Sequence, residues 1–134
     1  MNSSSVSVAK IAELLDLKNF TDEIDLKKRK ITTTDINRPA LQLTGYFEHF
    51  EESRVEIIGN VEYAYIQQMS DEEKRIRYDA FLKFDIPCVI FSRNLTPDPI
   101  FLKEALANHV PVLGTGRSTS EFTAELIYTL GEQL

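Results

Sequence analysis

Gly114-Thr-Gly-Arg-Ser-Thr-Ser, residues 114–120, follows the apolar run Val110–Leu113 and precedes an amphipathic stretch. A strand, a glycine-bearing loop and a helix start are the parts of a phosphate cradle. Against the pattern G-x-x-x-x-G-K-[S/T], Gly116 and Ser118 fit, but Pro111 stands at the first glycine and Arg117 at the lysine. Proline also removes one of the N–H donors from which such a cradle is built. The loop is no ATPase loop. What remains is a helix start with Ser118, Thr119 and Ser120 as capping hydroxyls and Arg117 as a charge near its positive end. Those four residues either hold a phosphate or carboxylate, or make a capped turn with an exposed arginine.

Asp35, Asn37 and Arg38 form a second polar group, around a turn constrained by Pro39. They read as a structural turn, with Asx-type backbone bonds and an Arg38–Asp35 pair, or as an interaction site. No catalytic residue and no metal site are expected. His49 and His109 are far apart, and neither has a second histidine at a metal-ligand spacing. Cys88, the single cysteine, lies in the apolar run Ile-Pro-Cys-Val-Ile-Phe and reads as a buried hydrophobe.

Charge narrows the partners. Fifteen basic residues against 21 acidic ones leave a net charge of −6, which disfavours nucleic acid as a partner. The one dense basic run, Lys27-Lys28-Arg29-Lys30, reads as a solvated turn. No membrane partner is expected, because no apolar run reaches about 18 residues. The N-terminus Met-Asn-Ser-Ser-Ser-Val lacks the regions of a signal peptide, and a reducing, cytoplasmic location is expected.

The elements that must position these groups follow from pattern. Ser4–Val8 alternates like a short strand, although Ser7 can instead cap the helix that sets Ile11, Leu14 and Leu15 on one face. Residues 18–30 read as loop, and Ile31-Thr-Thr-Thr has strand texture. Ala40–Thr44 makes at most a short helix ended by Gly45. Arg54–Gly59 reads as a strand and 61–69 as a helix. Ser70 with Glu73 makes a capping box for a longer helix. Pro87–Ser92 is a buried strand, a helix starts near Asp98 with Pro99 in its first turn, and the last helix runs from about Thr119. The 134 residues fit one domain, and strand–helix alternation in the second half predicts a three-layer α/β/α fold with a mostly parallel sheet. Right-handed crossovers put the loops after Ile58, Phe91 and Leu113 on one edge, where open α/β folds bind ligands. Tyr63, Tyr65, Tyr78 and Phe81, at helical spacings, read as core or interface packing.

Thr-Thr-Thr-Asp-Ile-Asn-Arg-Pro-Ala-Leu-Gln-Leu-Thr-Gly-Tyr-Phe, residues 32–47, resembles a segment of the N-terminal domain of HPr kinase/phosphorylase. The likeness continues in order through residues 54–66, 86–99 and 110–122, so it covers nearly the whole chain from Val6. Ala40 departs from a frequent glycine, and Gly114 from a common basic residue. The family's enzyme adds phosphate to, and removes it from, a serine of the phosphocarrier HPr, linking it to sugar uptake and carbon catabolite repression. The resemblance implies a fold similar to the UDP-binding N-terminal domain of MurE- and MurF-like ligases. It also implies that the ATP-binding P-loop, the catalytic residues and the HPr-contacting surface belong to a C-terminal kinase domain that lies outside this chain. ATP (or pyrophosphate) and Mg²⁺ would then serve the full-length, hexameric enzyme, and this chain alone would be inactive. Two other readings stand beside it: a standalone module sensing a small ligand or nucleotide, and a purely structural oligomerisation domain.

Overall fold

The computed structural model describes residues 4–134. Its central sheet has the strand order β2-β7-β6-β5-β4. Four of these strands are parallel: β4 (Ile36–Asn37), β5 (Val55–Ile58), β6 (Val89–Phe91) and β7 (Val112–Gly114). Parallel strands need crossovers, and the helices that supply them cover both faces, which is why β5 to β7 read as apolar runs. Val55, Ile57, Cys88, Ile90 and Leu113 turn toward α1 (Val8–Leu14) and α6 (Thr119–Gln133). Ile58, Val89, Phe91 and Val112 turn the other way. They pack under α2 (Ala40–Leu43), α3 (Asn60–Gln67), α4 (Asp71–Leu82) and α5 (Pro99–Ala107). The fold is therefore α/β with helices on both sides of a mostly parallel sheet.

Local signals in the sequence set most boundaries. Ser70 accepts from the Glu73 amide at 3.1 Å, and the Glu73 carboxylate accepts from the Ser70 amide at 3.4 Å, a reciprocal start for α4. Asp98 accepts from the Phe101 amide at 2.8 Å and caps α5, with Pro99 in its first turn. Both readings of the N-terminal segment hold together. β1 (Val6–Ser7) pairs antiparallel with β3 (Lys30–Ile31) as a separate two-stranded sheet, while Ser7 also accepts from the Lys10 amide at 3.0 Å to cap α1.

Three differences from expectation have physical causes. Within residues 18–30, β2 (Lys18–Asn19) pairs antiparallel with β7 and closes that edge of the sheet. The Thr21 hydroxyl, fully buried, accepts from the Val112 amide at 3.1 Å just beyond it. The Asp-Ile-Asn-Arg-Pro turn contributes β4, the opposite edge strand, pairing Asn37 with Glu56. Two-residue strands carry no periodicity to read. The basic run is not wholly solvated either: Arg29 is half-buried, donates to Asp85 at 3.0 Å and bonds the Ile86 carbonyl.

Cys88 lies 1% exposed, and burial first, then the nearby Glu56, pushes its thiol up to about 12. Reaction with a thiol reagent requires the thiolate. Native protein is therefore expected to label slowly at neutral pH, and quickly and stoichiometrically once denatured. Rapid labelling of the native state in a mass-resolved time course would refute this placement.

Candidate functional site

The carboxyl edge of the sheet splits between two helices. After β5 the chain turns at Gly59 into α3 on one face; after β7 it turns through Thr115–Ser118 into α6 on the other. The two helix starts meet at Gly59. A Cβ there would lie 2.7 Å from Thr119 Oγ1 and 2.8 Å from Arg38 Nη2, so only glycine lets α3, α6 and Arg38 approach this closely.

Buried Glu62 organises the junction. Its Oε1 accepts from the Gly59 amide at 2.8 Å and from Arg38 Nη2 at 2.7 Å. The carboxylate side chain is 3% exposed, against 38% for Arg38. Beneath them, Ser92 donates its hydroxyl proton to the Ile58 carbonyl at 3.2 Å, which leaves Thr119 as the donor in the 2.7 Å Ser92–Thr119 contact. This polar floor is satisfied and fixed.

Above the floor opens a crevice of about 630 Å³. Arg38 and Arg93 form its cationic wall, Asn60, Thr119 and Ser120 its polar rim, and Val61 with Ala124 and Ile127 of α6 its apolar side. None of its lining residues is acidic. Arg93 and Asn94 both have φ 58°, a left-handed turn that ends β6. The turn is stitched to the neighbouring loop, Arg93 N–H to the Arg117 carbonyl and Asn94 N–H to the Thr115 carbonyl, each at 2.9 Å. Arg93 makes no ion pair among the described residues.

The expected phosphate-type cluster at 117–120 is divided by this geometry. Arg117 turns away from the crevice, donating to the Leu15 carbonyl at 2.9 Å and pairing with Glu125 at 2.8 Å. Ser118 caps α6, accepting from the Glu121 amide at 3.3 Å and donating to its carboxylate at 2.7 Å. Only Thr119 and Ser120 line the crevice. The loop departs from a phosphate cradle in two places: Pro111 stands just before β7 with its carbonyl bonded to the Val89 amide, and Arg117 is engaged elsewhere.

The 35–38 turn is also corrected in one respect: Arg38 pairs with Glu62, not with Asp35, which is exposed. Asn37 bonds side chains in place of backbone, donating to Gln42 at 3.0 Å and to Glu56 at 2.7 Å. Glu56 is fully buried, and its Oε2 has no partner among the described residues. Burial raises its carboxyl to about 8, opposed by the Asn37 bond and the Arg54 charge. Residues missed in the sequence are Glu62, Glu56, Gln42 and Arg93; only Arg93, just after a strand that ends on the ligand edge, carried a usable signal. A smaller cleft of about 260 Å³ lies beyond the stitched loops. Its aromatic ring, Phe20, is covered by Lys18 at 4.9 Å and lies so close to Gly114 that a Cβ there would be 2.7 Å from it, leaving little ring for a ligand.

Comparison with known proteins gives the family. A family model described as the HPr serine kinase N terminus matches residues 6–130. An HPr kinase/phosphorylase of Lachnoclostridium phytofermentans is 41% identical over 130 residues, 97% of this chain and 42% of that protein. One from Caldicellulosiruptor bescii is 38% identical over 128 residues, 96% of this chain and 41% of that protein. The chain thus spans well under half the length of these relatives. A crystal structure of the CBS and DRTGG domains of the regulatory region of Clostridium perfringens pyrophosphatase, complexed with its activator diadenosine tetraphosphate, matches with a TM-score of 0.58. It is 16% identical and covers 90% of this chain and 45% of that one, a likeness of fold.

Proposed function

The chain belongs to the HPr serine kinase N-terminus family, and on that premise we propose that it is the non-catalytic N-terminal domain of a bacterial enzyme that phosphorylates and dephosphorylates a serine of HPr. The observation that carries this reading is the match along nearly the whole chain to less than half of each relative. The site chemistry agrees with it. The loop that most resembles a nucleotide cradle has its arginine committed elsewhere. Phosphoryl transfer needs a metal-nucleotide clamp and a base positioned on the nucleophile. In this reading a C-terminal kinase domain supplies both, with ATP or pyrophosphate, Mg²⁺ and the HPr contact. The whole enzyme would be a cytoplasmic hexamer that regulates sugar uptake, with no nucleic-acid or membrane partner. Among the described residues, no helix is long and apolar enough to cross a membrane.

The test is phosphoryl transfer. A protein carrying this domain together with the expected kinase domain should transfer the γ-phosphate of labelled ATP to HPr serine in the presence of Mg²⁺. The 134-residue chain alone should transfer none above a no-enzyme blank. Transfer by the isolated chain, or none by the two-domain protein, would overturn the reading.

A further inference from the structure

We propose that the crevice between α3 and α6 binds a phosphorylated small molecule, a phosphate monoester carried on an apolar or ring-shaped body. The inference rests on the reading of this chain as non-catalytic, because it makes the crevice a sensing site in place of a reaction centre.

Charge is the first argument. The chain carries 21 acidic residues and a net charge of −6, yet the lining of this edge crevice includes two arginines and no acidic residue. Glu62 offsets Arg38 from below, while Arg93 has no counter-charge among the described residues. The remaining positive charge calls for an anion. Guanidinium groups recognise phosphate oxygens with paired donors, and a phosphate monoester offers enough oxygens to engage both arginines at once.

Preorganisation is the second. Arg38 is held by the buried Glu62, and the backbone at Arg93 is fastened through its own amide and that of Asn94 to the loop before α6. Fixing one guanidinium and the backbone that carries the other before a ligand arrives lowers the entropy lost on binding. Thr119 and Ser120 add the rim where α6 begins, as a supplement to the arginines.

Size and polarity give the class of ligand. A volume of about 630 Å³ lies within the usual range for small-molecule sites and far exceeds what a bare phosphate fills. The same lining holds Val61, 69% exposed, and Ile127, 43% exposed, two aliphatic residues left in water. A ligand body laid against them removes that surface from solvent.

An NMR titration of the 134-residue chain tests this, with phenyl phosphate, inorganic phosphate and phenol as probes. Phenyl phosphate is expected to shift the amides of Gly59, Asn60, Arg93, Thr119 and Ser120 first. Its affinity should be at least about tenfold tighter than that of inorganic phosphate, equivalent to roughly 1.4 kcal/mol. Phenol should leave those amides in place. Arg93→Asn, chosen because asparagine tolerates the left-handed backbone, should weaken phenyl phosphate about tenfold with the rest of the spectrum unchanged. The proposal falls if these amides stay still, if phenyl phosphate and inorganic phosphate bind equally, or if the Arg93 variant binds as wild type does. None of these outcomes bears on HPr phosphorylation by the two-domain protein, so the two readings fail separately.

Discussion

Replacing Glu56 by glutamine is expected to flatten the pH dependence of stability between about pH 5 and pH 8 and to make the variant the more stable protein at the alkaline end. Glu56 sits fully buried in β5, on the face covered by α2 to α5, and its Oε2 has no partner among the described residues. Burial raises its carboxyl from 4.5 to about 8. In that window the unfolded chain has lost this proton while the folded chain keeps it, so the folded state binds more protons and stability falls as pH rises. The contribution is complete below the unfolded value, declines through the window and is gone above about pH 8. A shift of this size corresponds to roughly 4–5 kcal/mol across the whole range. Glutamine keeps the acceptor that Asn37 bonds at 2.7 Å and has no proton to lose. Protonated Glu56 already carries one unpartnered donor at Oε2, and the glutamine amide adds one further hydrogen there, which should cost about 1 kcal/mol at pH 5. The expected signature in urea unfolding is a stability difference, variant minus wild type, that grows by about 3–5 kcal/mol from pH 5 to pH 8. Parallel curves would mean that Glu56 stays ionised in the folded protein.

Glu56 also marks where the sequence stops being legible. Val-Glu-Ile-Ile reads as a strand with Val55 and Ile57 on one face, which leaves Glu56 facing away from the core by alternation. Alternation assumes one wet face, and in a sheet covered on both sides there is none. The buried carboxyl is instead the end of a polar chain. Asn37 donates to it and to Gln42, and Gln42 donates to the Tyr46 carbonyl at 3.4 Å. That chain ties the segment Asp35–Tyr46 to the sheet, and it explains the asparagine and glutamine there without a ligand. The strands after residue 54, their caps and the ligand edge were readable because each rests on local pattern: apolar runs, Ser70 with Glu73, Asp98 with Pro99. The crevice was only half readable. Thr119 and Ser120 follow a recognisable loop, but Arg38 meets Glu62, 24 positions away, through the packing of β4 beside β5. Arg117 likewise finds its partner carbonyl in Leu15 at the far end of the chain. Pair contacts at such separations leave no periodicity in one sequence.

The Arg38–Glu62 pair supplies the other large expected effect. Arg38→Ala leaves a buried carboxylate held by a single amide, that of Gly59. Removing one partner of a buried pair is more damaging than never having had the pair, because the other charge remains desolvated. Arg38 is itself 38% exposed, so solvent screens part of the interaction, and the expected loss is about 2–3 kcal/mol. Glu62→Gln in the same background removes the stranded charge while its side-chain oxygen still accepts from Gly59. The double variant should therefore regain about 1–2 kcal/mol over Arg38→Ala alone, a coupling that a double-mutant cycle in urea reads directly. Asp35→Ala provides the contrast. Asp35 is exposed and makes no ion pair among the described residues, so its loss should change stability by no more than about 0.5 kcal/mol. Had the turn been held by an Arg38–Asp35 bond, Asp35→Ala would match Arg38→Ala and Glu62→Gln would rescue nothing. The arginine that presents charge to the crevice is thus also the one that keeps a buried carboxylate tolerable at the α3 start, and the cycle separates that structural role from binding, because Glu62→Gln can restore stability but cannot restore a guanidinium to the crevice.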